Sequence, residues 1–221
     1  MALRRLFVQT LVCLLLCSPF QSFAGPTDKQ ARLLSAAGKG NLSLVRQLLA
    51  KGAKLNGKEG VMTPLMAAAQ HGQTAMVVYL LSKGANVKAS NENYGYFTPL
   101  LFAKNYGCVK ALLNAGADGN TADIDGESVL MRWLEHGDSA AVKIIRLLIA
   151  RGADVNCGAE AGETGLMRAV EEGNAGVVRL MLAKGAKVTG KDDGDQTALS
   201  IAKRKGRADL IALLKRAGAK V

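Results

Sequence analysis

Leucine-rich apolar stretches alternate along this chain with short polar stretches that are rich in glycine. Each apolar stretch ends in a Gly-Ala pair, and the glycines of successive pairs lie 32, 32, 36, 33 and 33 residues apart. A nearly constant period of this length indicates a repeat protein, in which one small unit of secondary structure is stacked several times. The glycines of these pairs are Gly52, Gly84, Gly116, Gly152, Gly185 and Gly218.

A second anchor, Thr-Pro-Leu or a degenerate form of it, opens each unit. The anchor is complete at 63–65 and 98–100. In each of the six units a turn glycine lies nine residues after the first residue of the anchor: Gly40, Gly72, Gly107, Gly137, Gly173 and Gly206. Because Thr or Ser caps helices and Pro suits their first turn, this spacing predicts a short first helix that ends at the turn glycine. A second, aliphatic helix then ends at Gly-Ala, since Gly accepts the backbone of a helix C-cap, and a finger of about ten residues follows.

Two stretches match a known repeat motif closely: Thr-Pro-Leu-x-x-Ala-Ala at 63–69 and Gly-Ala-Asp-Val-Asn at 152–156. On these motifs and the period, the chain resembles the ankyrin-repeat family over roughly residues 29–221. The resemblance implies an all-α ankyrin-repeat solenoid of about six helix-turn-helix repeats with finger loops, whose stacking supplies the core that one pair of short helices lacks. The repeats are expected at 29–60, 61–95, 96–126, 127–162, 163–195 and 196–221.

The third and fourth repeats break the regular spacing. From the turn glycine to the Gly-Ala glycine the distance is 9 residues in the third repeat and 15 in the fourth, against 12 in the others. Three residues are close to one helical turn, so we expect a shortened second helix in the third repeat and a void beside it. Trp133, the only tryptophan, is expected to fill that void; the alternative is an exposed tryptophan in a degraded repeat.

The first 24 residues have the pattern of a cleavable secretory signal. Two arginines precede a mostly apolar run from Leu6 to Leu16, which is shorter than the roughly 20 residues that cross a bilayer. Small residues at Ser22 and Ala24 place the predicted cleavage after Ala24, which leaves a domain at 25–221 in the periplasm or secreted. The alternative is a retained membrane anchor, and no other segment approaches transmembrane length.

The chain is basic, with 29 Lys and Arg against 18 Asp and Glu and a formal charge of +11. Removal of the signal would take away two arginines, which leaves 27 basic and 18 acidic residues and a charge of +9. Such an excess favours acidic partners or anionic surfaces without choosing between protein, lipid and nucleic acid. The resemblance implies a protein partner, no nucleic acid, and a chain that is monomeric by itself.

The residues that carry catalysis and metal binding are scarce. The two histidines, His71 and His136, lie two repeats apart along the predicted stack, and the acidic stretch 192–195 lacks the spaced ligands of a calcium loop. Two cysteines remain after cleavage, Cys108 in a second helix and Cys157 in a finger, and this separation predicts two free thiols. We therefore expect no enzyme activity, no cofactor and no metal site.

The candidate binding residues come from one long finger and from the first helices. The finger between the second and third repeats carries Tyr94, Tyr96 and Phe97, and aromatic side chains are common at binding hot spots; inward packing is the alternative for Phe97. In the family, the fifth and eighth positions of the first helix, counted from its cap, face the concave side. The alternative for Arg and Glu of one helix is that they pair with each other at i, i+3. The resemblance thus implies contacts at Phe102, Asn105, Arg132, Glu135, Arg168 and Glu171.

Export, a basic solenoid and the missing catalytic chemistry together predict a binding protein. Exported ankyrin proteins that resemble this chain include immunity proteins, so the resemblance implies an inhibitor that covers the active site of a secreted toxin enzyme, such as a lipase effector. The alternative is an accessory protein that supports a periplasmic enzyme, for which the resemblance suggests catalase and resistance to oxidative stress. A cryptic hydrolase and a host-directed effector are further alternatives.

Overall fold

The computed structural model describes residues 28–59, 62–90 and 96–220. The predicted signal segment, its cleavage site after Ala24 and the finger residue Tyr94 lie outside these ranges. Within them the chain forms twelve α-helices and no strand longer than an isolated bridge, which confirms the all-α fold. The helices are α1 (Asp28–Gly38), α2 (Leu42–Ala50), α3 (Pro64–Gln70), α4 (Thr74–Ser82), α5 (Pro99–Phe102), α6 (Tyr106–Asn114), α7 (Val129–Leu134), α8 (Ser139–Ala150), α9 (Gly165–Glu171), α10 (Ala175–Ala183), α11 (Ala198–Arg204) and α12 (Ala208–Arg216).

In the second, fourth, fifth and sixth repeats, the first helices are capped as the spacing predicts. The side-chain oxygens of Thr63, Ser128, Thr164 and Thr197 each accept a hydrogen bond of 3.1–3.3 Å from the backbone N–H three residues ahead. The Gly-Ala glycines lie in the left-handed region, for example Gly52 at φ +85°, which residues with a Cβ rarely adopt. The N–H of the alanine after each glycine then closes the even-numbered helix by donating to a carbonyl five residues back.

The helices form two layers with the apolar core between them. First helices of neighbouring repeats contact each other, as α1 contacts α3, and second helices do the same, as α4 contacts α6. Each repeat buries its apolar surface against its neighbours, so the core continues along the stack. Among the most deeply buried side chains are Leu33, Met66, Leu100 and Leu130 of the first layer and Leu112 and Ile144 of the second.

The structure corrects the prediction for the third repeat. Gly107 does not end the first helix; it lies inside α6, whose N-cap is Asn105. The missing residues come from the first helix, since α5 has only 4 residues while α6 keeps the 9 residues of α2 and α4. The nine-residue spacing misled here because Gly107 follows the true turn by a few residues. The three extra residues of the fourth repeat lengthen α8, which has 12 residues.

Trp133 must be reinterpreted with that correction. Its side chain is half-buried and packs against the core, and its ring meets that of His136 edge-on, with centroids 5.8 Å apart. Trp133 was expected to fill a void left by a shortened second helix in the third repeat. That helix has its full length, so this part of the prediction is wrong.

Five fingers connect the repeats: finger 1 (53–62), finger 2 (85–97), finger 3 (117–127), finger 4 (153–163) and finger 5 (186–196). The side-chain oxygens of Asn56, Asn120 and Asn156 each accept a 2.8 Å hydrogen bond from a backbone N–H of the next finger. Lys88 takes the corresponding position in finger 2, and because its side chain has no acceptor, this amide link does not continue to finger 3. None of the described helices has the length and apolar character that a bilayer crossing requires.

Candidate partner-binding face

The described part of finger 2 presents one exposed and one half-buried aromatic ring. Tyr96 has a left-handed backbone at φ +56° and is 50% exposed, so the fold holds this side chain out in solvent. Phe97 instead turns inward, with its ring centroid 5.3 Å from that of Phe102 and 5.6 Å from the guanidinium carbon of Arg132. Phe102 is buried. Of these rings, Tyr96 alone offers a large free surface to a partner, whereas Phe97 and Phe102 pack against each other.

Asn105 stabilises the stacking of two repeats. Its side-chain oxygen accepts hydrogen bonds from the backbone N–H of Cys108 at 2.8 Å and from the hydroxyl of Thr74 at 3.1 Å. Its amide nitrogen donates to the carbonyl of Gly72 at 2.7 Å. The shortened first helix moves Asn105 from the eighth position of a first helix to the cap of α6, so its polar atoms are occupied within the protein.

Arg168 is buried at the junction of the fourth and fifth repeats, with only 4% of the residue exposed. Its guanidinium donates to Glu127 at 2.6 Å, to Glu163 at 3.1 Å and to the carbonyl of Met131 at 3.2 Å, and Glu135 lies 3.3 Å away. Burial by itself would lower the pKa of Arg168, but the hydrogen bonds to Glu163 and Glu127 outweigh it and raise that pKa. Arg168 is therefore permanently charged and fixed in place.

Arg132 extends this group of charges toward finger 3. It donates to Asp123 at 2.6 Å and lies 3.8 Å from Glu127, so Glu127 is shared between the two arginines. Pairs between Arg and Glu of one helix at i, i+3, the alternative to contacts with a partner, are not the ones that form. Arg168 instead reaches Glu135 of the preceding repeat. We call the set the arginine–carboxylate network; its members are Asp123, Glu127, Arg132, Glu135, Glu163 and Arg168.

Glu171 likewise pairs across repeats. Its carboxylate lies 2.8 Å from the guanidinium of Arg204 and 2.7 Å from the ammonium of Lys205, both in the sixth repeat. The side chains of Arg204 and Lys205 are exposed, and that of Glu171 is 37% exposed. Ion pairs at such exposed sites contribute little to stability. Glu171 is therefore partly accessible to a partner, whereas Arg168 is buried.

Finger 3 carries a binding candidate that the sequence interpretation missed. Ile124 is 67% exposed at the tip of this finger, the largest exposure among the large apolar side chains that the structure describes. The tip is held by Asp123, whose side-chain oxygen accepts from the backbone N–H groups of Asp125 at 3.1 Å and Glu127 at 3.0 Å. Arg132 in turn holds Asp123. The available signal was an isoleucine between two aspartates before a glycine, where turns favour polar residues.

Fingers 2 and 3 border an open cleft of about 250 Å³, lined in part by Lys88, Thr98 and Asp118. The side chain of Thr98 does not cap α5, and its buried hydroxyl has no partner among the described residues. The cleft lies where the amide link between fingers is interrupted by Lys88. Tyr96 and Ile124 belong to the two fingers that border this cleft.

The described residues contain no group of three or more metal-binding side chains. Cys108 and Cys157 are both free, as predicted. Burial raises the pKa of both thiols, so at neutral pH they are protonated and poorly reactive.

Comparison with known proteins decides the family. A model of the ankyrin repeats matches three times, over residues 7–91, 33–123 and 130–221. The chain belongs to the ankyrin-repeat family. No curated protein compared with it gives a match.

Several solved structures share this ankyrin fold. An ankyrin-repeat domain of Acinetobacter baumannii AYE, ABAYE2397, is 27% identical with a TM-score of 0.76, covering 85% of this chain and 98% of its own. A chain from the complex of the predatory endopeptidase Bd0816 of Bdellovibrio bacteriovorus with immunity protein Bd3460 is 30% identical with a TM-score of 0.70, covering 84% and 97%. The ankyrin-repeat domain of Bcl-3, of the IkappaB family, is 27% identical with a TM-score of 0.71, covering 86% of each chain.

Proposed function

We propose that this ankyrin-repeat protein is exported and acts as an immunity or inhibitor protein, which covers the active site of a secreted hydrolase. The observation that carries the proposal is the pair of exposed apolar side chains on neighbouring fingers, Tyr96 and Ile124. Apolar side chains are costly to hold out in water, and they are frequent at the centres of protein interfaces. The similarity to the structure of Bd0816 with immunity protein Bd3460 supports the same role.

The mechanism is steric occlusion by a surface that is ordered before binding. Asp123 and Arg132 fix the tip of finger 3, and Arg168 ties finger 4 to the fourth repeat through Glu163 and Glu127. A surface that is already held in its binding geometry loses little conformational entropy on association. Fingers 3 and 4 thus present a rigid edge that fills the entrance of an enzyme cleft and excludes substrate.

The proposal can be tested by isolating the partner and measuring its activity. The unchanged protein, immobilised, should capture a hydrolase from the exported fraction of its own organism or of a competitor, and should inhibit it at a stoichiometry of one to one. The variants Tyr96→Ala and Ile124→Ala should each weaken inhibition about thirtyfold, the loss typical of a hot spot.

The control is Val78→Ala, which removes an equally exposed apolar side chain from the outer face of α4, away from the fingers. Inhibition should be unchanged in this variant. Equal inhibition by all three variants would contradict the contact surface. A captured enzyme whose activity rises instead of falling would contradict the inhibitor role and favour an accessory function.

A further inference from the structure

The outer faces of the second helices carry a row of exposed basic side chains. In α2, α6, α8 and α10 the residue six positions before the Gly-Ala glycine is basic, so these residues occupy the same place in their repeats, whereas in α12 this residue is Ala212. In α4 the position is taken by Val78, and in α8 a further lysine lies one helical turn earlier. We call this row the basic ridge; its exposed members are Arg46, Val78, Lys110, Lys143, Arg146 and Arg179.

The ridge cations have no carboxylate partner among the described residues. Helices α2, α4, α6, α8 and α10 contain no acidic residue, and the ion pairs of the described chain involve other cations. The basic C-cap residues, such as Lys51 and Lys184, are stabilised by the negative end of the helix dipole. The ridge residues lie in the middle of their helices, where that explanation does not hold.

Charge is separated between the two sides of the molecule. Together the five fingers contain 12 acidic residues and 5 lysines, and fingers 3 and 4 contain no lysine or arginine. The second helices show the reverse composition. Neighbouring packed helices lie about 8–10 Å apart, so the ridge cations repel one another unless an external anionic surface lies against them.

We propose that the basic ridge binds the anionic headgroups of a phospholipid bilayer. The cations are spread over several parallel helices as a broad surface, which matches a plane of headgroups. The ridge also includes the exposed Val78 (52%), and beside it the ring of Tyr79 lies 5.3 Å from the guanidinium of Arg46 and 5.8 Å from the ammonium of Lys83. Apolar and aromatic groups among cations suit the interfacial region of a membrane.

A nucleic acid fits the ridge less well. Single strands are bound by aromatic rings on which bases stack, and here the cations of Arg46 and Lys83 lie against Tyr79. Duplexes are recognised by an element that enters a groove, whereas the ridge is formed by the sides of several helices. Bilayer binding through the ridge also directs the acidic fingers away from the membrane, toward the aqueous space.

The test is binding of the full chain to vesicles of phosphatidylglycerol and phosphatidylcholine in equal parts. The ridge variant Lys110→Glu, Arg146→Glu, Arg179→Glu should bind these vesicles at least about a hundredfold more weakly, since each basic residue near an anionic surface contributes about a fivefold step. Raising the salt concentration from about 0.05 to 0.5 M should release the unchanged protein in the same way.

The matched control is Lys54→Glu, Lys88→Glu, Lys187→Glu, which changes net charge equally but on exposed finger lysines. It should keep the binding of the unchanged chain, and all three proteins share the same N-terminal segment. Far-UV circular dichroism should show equal helix content. Equal vesicle binding by the ridge variant and the unchanged chain overturns the proposal, and so does tighter binding to a 20-base-pair DNA duplex than to the vesicles. Neither outcome depends on whether the fingers inhibit an enzyme.

Discussion

At the scale of single residues, Arg168 shows how this stack accommodates a buried charge. A lone guanidinium in an apolar interior would be strongly destabilising, yet here carboxylates from Glu127, Glu163 and Glu135 surround it. These residues belong to different repeats, so the network connects the fourth repeat to the fifth. Because Arg168 pairs with carboxylates of both repeats, the junction of the fourth and fifth repeats depends on this one side chain.

Replacing Arg168 should therefore destabilise the protein far more than replacing an exposed arginine. We expect Arg168→Ala to lower the free energy of unfolding by about 3 kcal/mol, because it leaves the glutamates partly buried without their cation. The control Arg204→Ala breaks the exposed pair with Glu171 and should cost less than about 1 kcal/mol. Urea denaturation followed by circular dichroism measures both.

A second variant distinguishes two causes of the stability loss in Arg168→Ala, the carboxylates left unpaired and the packing lost with the arginine side chain. Adding Glu127→Gln and Glu163→Gln to Arg168→Ala removes two of the three carboxylates that surround the arginine. The triple variant should recover part of the lost stability, since neutral amides are less costly to bury. Equal loss for Arg168→Ala and Arg204→Ala would contradict the role of the network.

At the scale of elements, the third repeat shortens its first helix and keeps its second. The turn after α5 is carried by Asn105, which caps α6 and at the same time binds the backbone of Gly72. The close approach of the two repeats is possible because Gly107, in the first turn of α6, has no side chain. A Cβ at Gly107 would lie 2.5 Å from the hydroxyl oxygen of Thr74.

Gly107→Ala should consequently destabilise the protein, although Ala is ordinarily the better helix residue. We expect a loss of about 1–3 kcal/mol in the free energy of unfolding, the usual range for overpacking. The double variant Thr74→Ala, Gly107→Ala should recover most of it. Thermal and urea unfolding report the difference.

Gly176→Ala provides the matched control, because Gly176 has the same position relative to the N-cap of α10. The nearest atom to its added Cβ is a side-chain oxygen of Asn174 at 3.3 Å, so little has to move. This variant should be close to neutral. If Gly107→Ala proves as harmless as Gly176→Ala, the two repeats do not approach as closely as described.

At the scale of the whole molecule, the solenoid has two surfaces of opposite charge, the fingers and the outer faces of the second helices. The fingers carry acidic residues and the exposed Tyr96 and Ile124, and the second helices carry the basic ridge. The formal charge of +11 conceals this separation, because it sums both sides. Either surface acts only if the protein reaches its compartment, and export is therefore the expectation on which the proposed function depends.

We predict that the exported protein begins at Gly25, after cleavage at Ala24. Ala24→Leu should leave the precursor unprocessed, because signal cleavage requires a small residue directly before the cut. Phe23→Leu, one position earlier, should be processed normally. Intact-mass analysis of the periplasmic and medium fractions distinguishes the two forms, and recovery of the whole chain beginning at Met1 in those fractions would contradict cleavable export.

The sequence by itself determined the repeat, most of the helix caps and the stacked helical solenoid. These features depend on local chemistry: a Thr or Ser that caps a helix, a glycine that accepts a positive φ, and an apolar stripe with helical spacing. Each acts within a few residues of chain. The period of Gly-Ala pairs therefore predicted the repeat, and together with the motifs at 63–69 and 152–156 it supported the resemblance to the family.

Only the tertiary structure decided how the side chains of neighbouring repeats meet. Position counting placed Asn105 and Arg168 on the binding face, but the first caps α6 and the second is buried among carboxylates of another repeat. It also missed Ile124, whose exposure depends on the turn that Asp123 and Arg132 hold. Such contacts join residues that are distant in sequence, and their geometry follows from the exact length of each helix, which the spacing of glycines in the third repeat misrepresented.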